Sequence, residues 1–265
     1  MKTLIFGPDT CLEMGWLICA FIPAMRHVAR KYDKVVAIVE PGHEYLYEFA
    51  TDFEHYSKKG KRDRWLLNGK KLLAPKRILK KYPGTYYAPS REKCTKWPRK
   101  YRMYGSVASH FGYDIVIHAR NIRNHDWIDK KCGGSRNWGL EKWACFAMKM
   151  AQYKMCCVGT EKGALHIPGC DDKRGIPLHM LCDLMASSRV VVGESSGPLH
   201  LASLCGTPHV VITDDRVQKS INATNKQRYR TLWNHFQTAC RVVEDRRWNP
   251  APAIVAKKVE EYLCG

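Results

Sequence analysis

Apolar runs and polar breaks along the first third of the chain predict a strand, a helix and a second strand. Residues 2–6 and 34–39 are short apolar runs, and the longer segment between them, from about Gly15 to Lys31, suits a helix. Two strands joined by a helix form a parallel pair with a right-handed crossover. We therefore expect an α/β protein built on a parallel sheet.

A second α/β series begins at residue 113, where the run YDIVIH predicts a buried strand. Further helices are expected over about 140–153, 179–186 and 254–263, and further strands over 155–159, 189–192 and 209–212. Residues 57–105 are rich in Lys, Pro, Gly and Tyr, and are predicted to form an insertion of short strands and loops. We expect an N-terminal domain over 1–112 that carries this insertion. A C-terminal domain over 113–265 follows, whose last helix is a candidate for packing back on the N-terminal half.

Positive charge is concentrated in the predicted insertion. The net charge is +19, and seventeen basic residues but only two acids lie between Lys58 and Arg102. Cations interleaved with aromatic rings are typical of a nucleic-acid surface, where rings stack on unpaired bases. A solvated basic surface and a patch for an anionic lipid or glycan are the alternatives. The candidate nucleic-acid contacts are Lys58, Lys59, Arg62, Arg64, Lys70, Lys71, Lys76 and Arg77, with Trp65 and Trp97 as stacking rings.

Other sequence features exclude several classes of protein. No apolar run approaches the roughly 20 residues that span a bilayer, and the N-terminus lacks the pattern of a signal peptide. The twelve cysteines are scattered without C-x-x-C spacing, so reduced thiols and no structural zinc site are expected. We therefore expect a cytoplasmic protein. The absence of G-x-G-x-x-G disfavours an ordinary dinucleotide-binding enzyme.

The most informative stretch is VVGESSGPLHLASLCGTPHVVI, residues 191–212. A strand runs into a short polar loop, a helix opens near Leu199 and ends at Gly206, and another strand follows. The first turn of a helix exposes unpaired N–H groups and the positive end of the helix dipole, so the loop suits a phosphate. The alternative is that Ser196 only caps the helix.

Residues 113–213 resemble the C-terminal half of heptosyltransferase-like glycosyltransferases of family nine. Their signature, Asp-Thr-Gly-x-x-His, Leu-Ala and Gly-x-Pro, stands here as 195–200, 201–202 and 206–208. The resemblance implies a GT-B fold, two Rossmann-like α/β halves facing a cleft, with the loop holding the diphosphate of a nucleotide sugar. Ser195 replaces the family's Asp. Either Glu194 takes over a sugar-hydroxyl contact, or the loop touches only phosphate.

The same resemblance implies further contacts to the donor. Arg120 ends the first strand of this half, and Arg136-Asn137-Trp138 is similar to the family's Lys-x-Trp. Glu161 corresponds to an acid that contacts the nucleoside, although a solvated carboxylate is the alternative. The full set of donor-binding candidates is Arg120, Arg136, Glu161, Glu194, Ser195, Ser196, Gly197 and His200.

The loop after the first predicted strand resembles the acceptor side of the same enzymes. There an acidic residue in a glycine-bearing loop serves as the base, and Glu13 is the first match and Asp9 the second. The alternative is that Glu13 only stabilises a helix N-terminus through the dipole.

These features together predict a glycosyltransferase that moves a sugar from a nucleotide-diphosphate donor, UDP-linked by preference, to a hydroxyl acceptor. No D-x-D triplet occurs, which favours a metal-independent enzyme, and the resemblance favours inversion. The basic stretch points to a modified base in double-stranded DNA as acceptor, as in the base-modifying glycosyltransferases of tailed phages. The alternatives are lipopolysaccharide or another anionic glycan, and a non-enzymatic nucleic-acid-binding protein.

Overall fold

The computed structural model describes seven stretches of the chain: residues 1–9, 13–56, 76–88, 97–109, 111–121, 136–217 and 222–264. The chain divides into two units, Met1–Arg102 and Met103–Gly265. The division falls ten residues before the boundary expected from the sequence. Both units are α/β, as the alternation of apolar runs predicts.

The first unit contains a four-stranded parallel sheet with the order β3-β2-β1-β4. Its strands are buried or half-buried runs, and β1 and β2 are almost wholly covered, as expected of a parallel sheet with helices on its faces. The elements are β1 (Thr3–Phe6), α1 (Met14–Trp16), a π-helical segment (Leu17–Phe21), α2 (Ile22–Ala29), β2 (Lys34–Val39), a 3₁₀ turn (Glu44–Leu46), β3 (Asp52–His55), α3 (Lys76–Lys81) and β4 (Thr85–Tyr87).

The second unit contains a six-stranded parallel sheet with the order β10-β9-β8-β5-β6-β7. The first strand of the unit, β5, lies in the middle, and the chain then builds outward on one side before returning to β8 on the other. The elements are β5 (Ile115–His118), α4 (Leu140–Lys149), β6 (Met155–Cys157), β7 (Asp171–Asp172), α5 (Leu178–Ala186), β8 (Val190–Glu194), α6 (Gly197–Leu204), β9 (His209–Thr213), α7 (Asn225–Thr231), β10 (Cys240–Glu244) and α8 (Pro252–Leu263).

The core of the second unit lies between this sheet and the helices α4 and α8. Trp143 and Phe146 of α4 pack edge to face, and Val255 and Val259 of α8 join the same buried cluster. The last helix thus packs on the sheet of its own unit. Burying aromatic and branched side chains on one face fixes α4 and α8 against the strands and leaves the strand ends available for a site.

The predicted insertion over 57–105 is partly wrong. Residues 76–81 form α3 and residues 85–87 form β4, and β4 pairs in parallel with β1, so this part of the basic stretch completes the first sheet. The prediction failed because Thr85–Tyr87 is a three-residue edge strand among lysines and prolines, too short to show a period. Residues 57–75 and 89–96 lie outside the described stretches.

Candidate functional site

The site in the second unit is centred where β5 and β8 run side by side. His118 at the end of β5 is paired with Gly193 of β8, and a Cβ on Gly193 would lie 2.5 Å from the His118 carbonyl oxygen. These strands begin the two halves of a doubly wound sheet, so this is its topological switch point, where such sheets bind ligands beyond the carboxyl ends of the strands. The glycine allows the two strand ends to lie close together.

Ser196 stands at this point, immediately before α6. Its backbone is extended, its hydroxyl makes no capping hydrogen bond, and its Oγ lies 2.9 Å from Nδ1 of His118. The interpretation of Ser196 as a side-chain cap is therefore wrong. Helix α6 begins at Gly197, two residues earlier than expected, and Pro198 in its first turn lacks an N–H. The first-turn N–H groups have no acceptor within a helix, and they follow Ser196 directly along the chain.

His118 is held as a neutral imidazole. Burial, with a smaller contribution from the Arg120 guanidinium, lowers the pKa of His118 to about 3. The end of β6 also packs on the ring, since a Cβ on Gly159 would lie 2.9 Å from the Cδ2 of His118. A neutral ring can donate or accept at Nδ1, so the Ser196 hydroxyl is fixed in place without placing a further charge beside it.

Glu194 is the last residue of β8, and its predicted contact with a donor stays a prediction. Its side chain is fully buried, and its carboxylate accepts the backbone N–H of Trp138 at 2.8 Å, the backbone N–H of Arg120 at 3.0 Å and the indole N–H of Trp143 at 3.2 Å. Burial raises the pKa of Glu194, although these hydrogen bonds act to lower it. The carboxylate ties the chain after β5 and the chain before α4 to the end of β8, which is a positioning role.

Ser195 likewise faces the protein interior, and its predicted contact with a donor stays a prediction. Its backbone N–H donates to the carbonyl oxygen of Ile212 at 2.9 Å, which continues the pairing of β8 with β9. The Tyr229 hydroxyl donates to its Oγ at 3.2 Å. The residue is 7% exposed. Of the predicted loop contacts, Ser196 and Gly197 are therefore the two that face a partly open surface.

His200 lies on the buried side of α6, and its predicted contact with a donor stays a prediction. Its ring centroid lies 4.3 Å from that of Trp233 and 5.3 Å from that of Tyr229. Burial first, then the charges of Arg228, His209 and Arg136, lower its pKa well below the usual value. Arg228 in turn stacks over the Trp233 ring at 3.4 Å.

Three guanidinium groups act electrostatically on the two histidines next to the loop before α6. Arg120 is buried and acts electrostatically on His118, while Arg136 and Arg228 act on His200. Arg136 is half-buried and lies over the Trp248 ring at 5.7 Å. The positive charges and the positive end of α6 act in the same direction, so the loop is suited to an anion.

Glu161 follows β6 at the same edge of the sheet. Its residue is exposed, and its backbone carbonyl accepts a hydrogen bond from Arg174 at 3.3 Å. Nothing in these contacts tests its assignment to the nucleoside, which stays a prediction.

In the first unit, the two acids predicted as bases differ sharply. The side chain of Asp9 is wholly buried, and its carboxylate accepts hydrogen bonds from the Glu40 N–H at 2.7 Å and the Tyr47 hydroxyl at 3.1 Å, with His43 Nδ1 at 2.9 Å. The assignment of Asp9 as the second candidate base stays a prediction. Glu13 is exposed and precedes α1, with its carbonyl accepting the N–H of Leu17 at 3.0 Å.

Most of the predicted nucleic-acid contacts lie outside the described residues, namely Lys58, Lys59, Arg62, Arg64, Trp65, Lys70 and Lys71. Lys76 and Arg77 are described and begin α3 with exposed side chains. Trp97 packs edge to face on Tyr87 at 5.2 Å, so this ring already has an aromatic partner.

Sequence reasoning missed His118 as the partner of Ser196, Tyr229 as the partner of Ser195, and the pair of Asp9 with His43. These partners lie 78, 34 and 34 residues apart. No local period links residues so distant, although the carboxyl ends of neighbouring parallel strands would have brought His118 and Ser196 under consideration.

The described stretches contain no group of three His, Cys, Asp or Glu side chains placed to hold a metal ion. Within the same stretches, no helix has both the length and the apolar character needed to cross a membrane. Their nine cysteines are all free thiols.

Three solved structures share the fold over nearly the whole chain. The Escherichia coli heptosyltransferase WaaC with ADP is 12% identical, with a TM-score of 0.58, covering 99% of this chain and 100% of that one. The E. coli ADP-heptose lipopolysaccharide heptosyltransferase II is 12% identical, with a TM-score of 0.60 and coverages of 100% and 99%. A glycosyl transferase of family 9 from Veillonella parvula is 11% identical, with a TM-score of 0.59 and coverages of 99% and 97%.

No family model matches the chain, and no curated protein matches it by sequence. At 11–12% identity the likeness establishes the fold: two α/β units of GT-B type, as in the heptosyltransferases of glycosyltransferase family 9. The GT-B fold that the resemblance implies is thereby confirmed, whereas the basic insertion is not.

Proposed function

We propose that the protein is a glycosyltransferase that binds a nucleoside diphosphate sugar at the β5–β8 switch point of the second unit. The observation that carries the proposal is the Ser196 hydroxyl on neutral His118, immediately before α6, with Arg120 acting on His118 and Arg136 and Arg228 acting on His200. A diphosphate is the anion that this arrangement suits, and the fold it stands on is that of a solved heptosyltransferase with ADP.

The same residues would stabilise the departing nucleoside diphosphate. The negative charge that develops on the leaving oxygen meets the positive end of α6, the Ser196 hydroxyl and the arginine charges, which are already in position. Such an arrangement works without a metal ion, which agrees with the absence of a D-x-D triplet from the sequence. We further propose inversion, in which the acceptor oxygen attacks opposite the leaving phosphate.

For the acceptor, we favour a hydroxyl of an anionic glycan of the lipopolysaccharide type. One structural neighbour is described as an ADP-heptose lipopolysaccharide heptosyltransferase, and the basic residues of the chain would complement a phosphorylated glycan. A modified base in DNA is the second candidate. Its support is the concentration of seventeen basic residues between Lys58 and Arg102.

The donor proposal is tested with ADP and UDP in the presence of EDTA. We expect one of the two to raise the melting temperature. Ligand at about 100 times its dissociation constant adds about 2.7 kcal/mol to the stability of the protein that binds it. Binding or turnover that depends completely on Mg²⁺ or Mn²⁺ would contradict the metal-independent form of the proposal.

The acceptor proposal is tested by turnover with ADP-heptose or UDP-sugars as donors. One arm contains a phosphorylated lipopolysaccharide core oligosaccharide and the other contains duplex DNA with hydroxymethylated bases. We expect sugar transfer in the first arm. Transfer only to the DNA would replace the glycan acceptor with the second candidate.

A further inference from the structure

Polar side chains follow β9 and β10 at the same edge of the second sheet as the loop before α6. The strand order β10-β9-β8 places these three strand ends side by side. The pairing continues past the strands, because the Asp245 N–H after β10 donates to the carbonyl oxygen of Thr213 in β9 at 2.9 Å. Neighbouring strands lie about 4.8 Å apart, so the ends of β9 and β10 lie within about 10 Å of the end of β8. A group attached to a diphosphate at Ser196 can reach them.

Asp214, the residue directly after β9, is a carboxylate with acceptor positions to spare. Its side chain is 10% exposed. One oxygen accepts the Arg216 Nε–H at 2.6 Å and the other accepts the Asn225 amide at 3.0 Å. A carboxylate oxygen can accept about two hydrogen bonds, so each of the two retains one position. Asn225 also donates to the Thr213 hydroxyl at 2.6 Å, which fixes the amide and the carboxylate bound to it.

Trp248, in the turn after β10, carries a buried hydrogen-bond donor. The residue is 3% exposed, and its indole Nε1 has no acceptor among the described residues. Its φ is +57°, a region that residues other than glycine rarely adopt. Asp245 holds this conformation, since its carbonyl accepts the Trp248 N–H and its carboxylate accepts the N–H groups of Arg247 and Asn249, all at 3.0 Å. Buried polar groups are normally paired, so a donor held unpaired by a strained turn indicates a ligand oxygen as its partner.

The charges at this edge separate a position for phosphate from a position for an uncharged group. Arg136 lies over the Trp248 ring at 5.7 Å and also acts on His200 in the first turn of α6, which connects Trp248 to the anion site. The Glu194 carboxylate already accepts three N–H groups, whereas Asp214 retains acceptor positions. A carboxylate repels phosphate, so Asp214 suits the uncharged part of a donor. Sugar hydroxyls both donate and accept, and a carboxylate and an indole N–H complement them.

We propose that Asp214 and Trp248 form the subsite for the sugar of the donor, an inference that rests on the proposed function. The Asp214 carboxylate accepts a sugar hydroxyl, and the Trp248 indole N–H donates to a sugar oxygen. The two residues therefore contribute affinity for the sugar and none for the nucleoside diphosphate. Because Asp214 is anionic, the subsite suits a neutral sugar rather than a uronic acid.

The test compares the affinity of the full chain for a nucleotide with its affinity for the sugar conjugate, by calorimetric titration without acceptor. The probes are ADP with ADP-heptose and UDP with UDP-glucose. For the pair that the wild type binds, Asp214→Asn should bind the nucleotide as the wild type does and the conjugate about tenfold more weakly. Trp248→Phe keeps a ring beneath Arg136 and removes only the N–H, so it should weaken binding of the conjugate alone, by about fivefold.

Asp172→Asn is the matched control, because Asp172 also binds an arginine two residues further on, with Arg174 Nε at 2.8 Å and Nη2 at 2.7 Å. It should keep the wild-type ratio of the two dissociation constants. Equal losses for nucleotide and conjugate in Asp214→Asn and Trp248→Phe, or no loss for either ligand, would overturn the sugar subsite. A wild type that binds neither ADP nor UDP would instead overturn the proposed function, and this inference with it.

Discussion

The carboxyl edges of the two sheets place histidine in opposite electrostatic surroundings. In the second unit, His118 and His200 are buried under the influence of Arg120, Arg136 and Arg228, and their pKa values are lowered. In the first unit, His43 lies against the carboxylate of Asp9 and is partly exposed. Arginines disfavour a further positive charge on a ring, whereas a carboxylate stabilises it.

The two kinds of surroundings suit a histidine to different chemistry. A site for a diphosphate gains from rings that stay neutral, since they order a hydroxyl without taking up protons. A site for proton removal needs a ring that can become charged. Burial is the main cause of the lowered pKa values of His118 and His200, and the arginine charges add to it, whereas His43 lies partly exposed beside a carboxylate.

The largest expected effect is on the pH dependence of stability in the second unit. His118 has a folded pKa of about 3 against a usual value of 6.5, so the unfolded state binds more protons between these values. Stability therefore falls as pH drops through this window, by up to about 1.4 kcal/mol per pH unit for one histidine. The lowered pKa values of His200 and His209 act in the same direction.

Urea unfolding of wild type and of His118→Gln from pH 7 to pH 4 measures this effect. The variant should lose less stability on acidification than the wild type does. His166→Gln is the control, because this residue lies in the same unit but is exposed, with its Nε2 2.9 Å from the Cys170 carbonyl oxygen. Equal slopes for wild type and His118→Gln would mean that His118 is not held neutral.

Glu194→Gln should give the next largest effect. The carboxylate of Glu194 accepts three buried N–H groups, and an amide has only one oxygen to offer them. A buried donor left without an acceptor costs about 1–3 kcal/mol, so the free energy of unfolding should fall by about 2 kcal/mol. Denaturant unfolding measures the change.

Glu161→Gln is the control for this substitution, because it makes the same exchange of carboxylate for amide at an exposed position. Its stability should stay within about 0.5 kcal/mol of wild type. An equally small change in Glu194→Gln would show that the buried carboxylate does not hold the strand ends together, and its assignment as a positioning residue would fall.

The sequence predicts those elements whose residues form a contiguous pattern along the chain. The strands β1, β2, β5, β8 and β9 are continuous apolar runs, buried on both faces, and were found close to their observed bounds. The edge strand β7 consists of two exposed aspartates, so it shows no apolar run from which it could be predicted. The loop of residues 193–197 could be predicted as a phosphate site because its strand, small residues and helix are contiguous in the sequence.

Directions of side chains could not be read from the sequence in the same way. Within the loop, Glu194 and Ser195 are buried and Ser196 is partly open, and this follows from the Trp138 and Tyr229 contacts rather than from residue type. Likewise, Asp9 was recognised as an acid after a strand, but its buried position depends on Gly7, Glu40 and Tyr47. Such partners are distant in sequence and meet only in the folded unit.

Ser196→Ala should have a smaller effect, on the donor rather than on the fold. Its hydroxyl stands at the first turn of α6, and a hydrogen bond to a charged group contributes about 1.5 kcal/mol, so affinity for the donor nucleotide should weaken about tenfold. Calorimetric titration with ADP or UDP measures it. Ser195→Ala, whose hydroxyl is bound by Tyr229, should bind the nucleotide as wild type does. Equal losses in both variants would remove the distinction between the two serines.

The smallest effect on stability is expected for Glu13→Gln, which tests the base that the family resemblance implies. Glu13 is exposed before α1, so the free energy of unfolding should stay within about 0.5 kcal/mol of wild type. If Glu13 is the base, the variant should lose about 10²–10⁴-fold in kcat and keep its affinity for the donor nucleotide. Steady-state rates and denaturant unfolding measure the two effects. A wild-type kcat in Glu13→Gln together with a large loss in Asp9→Asn would assign the base to Asp9 and leave Glu13 as an acid that stabilises a helix N-terminus.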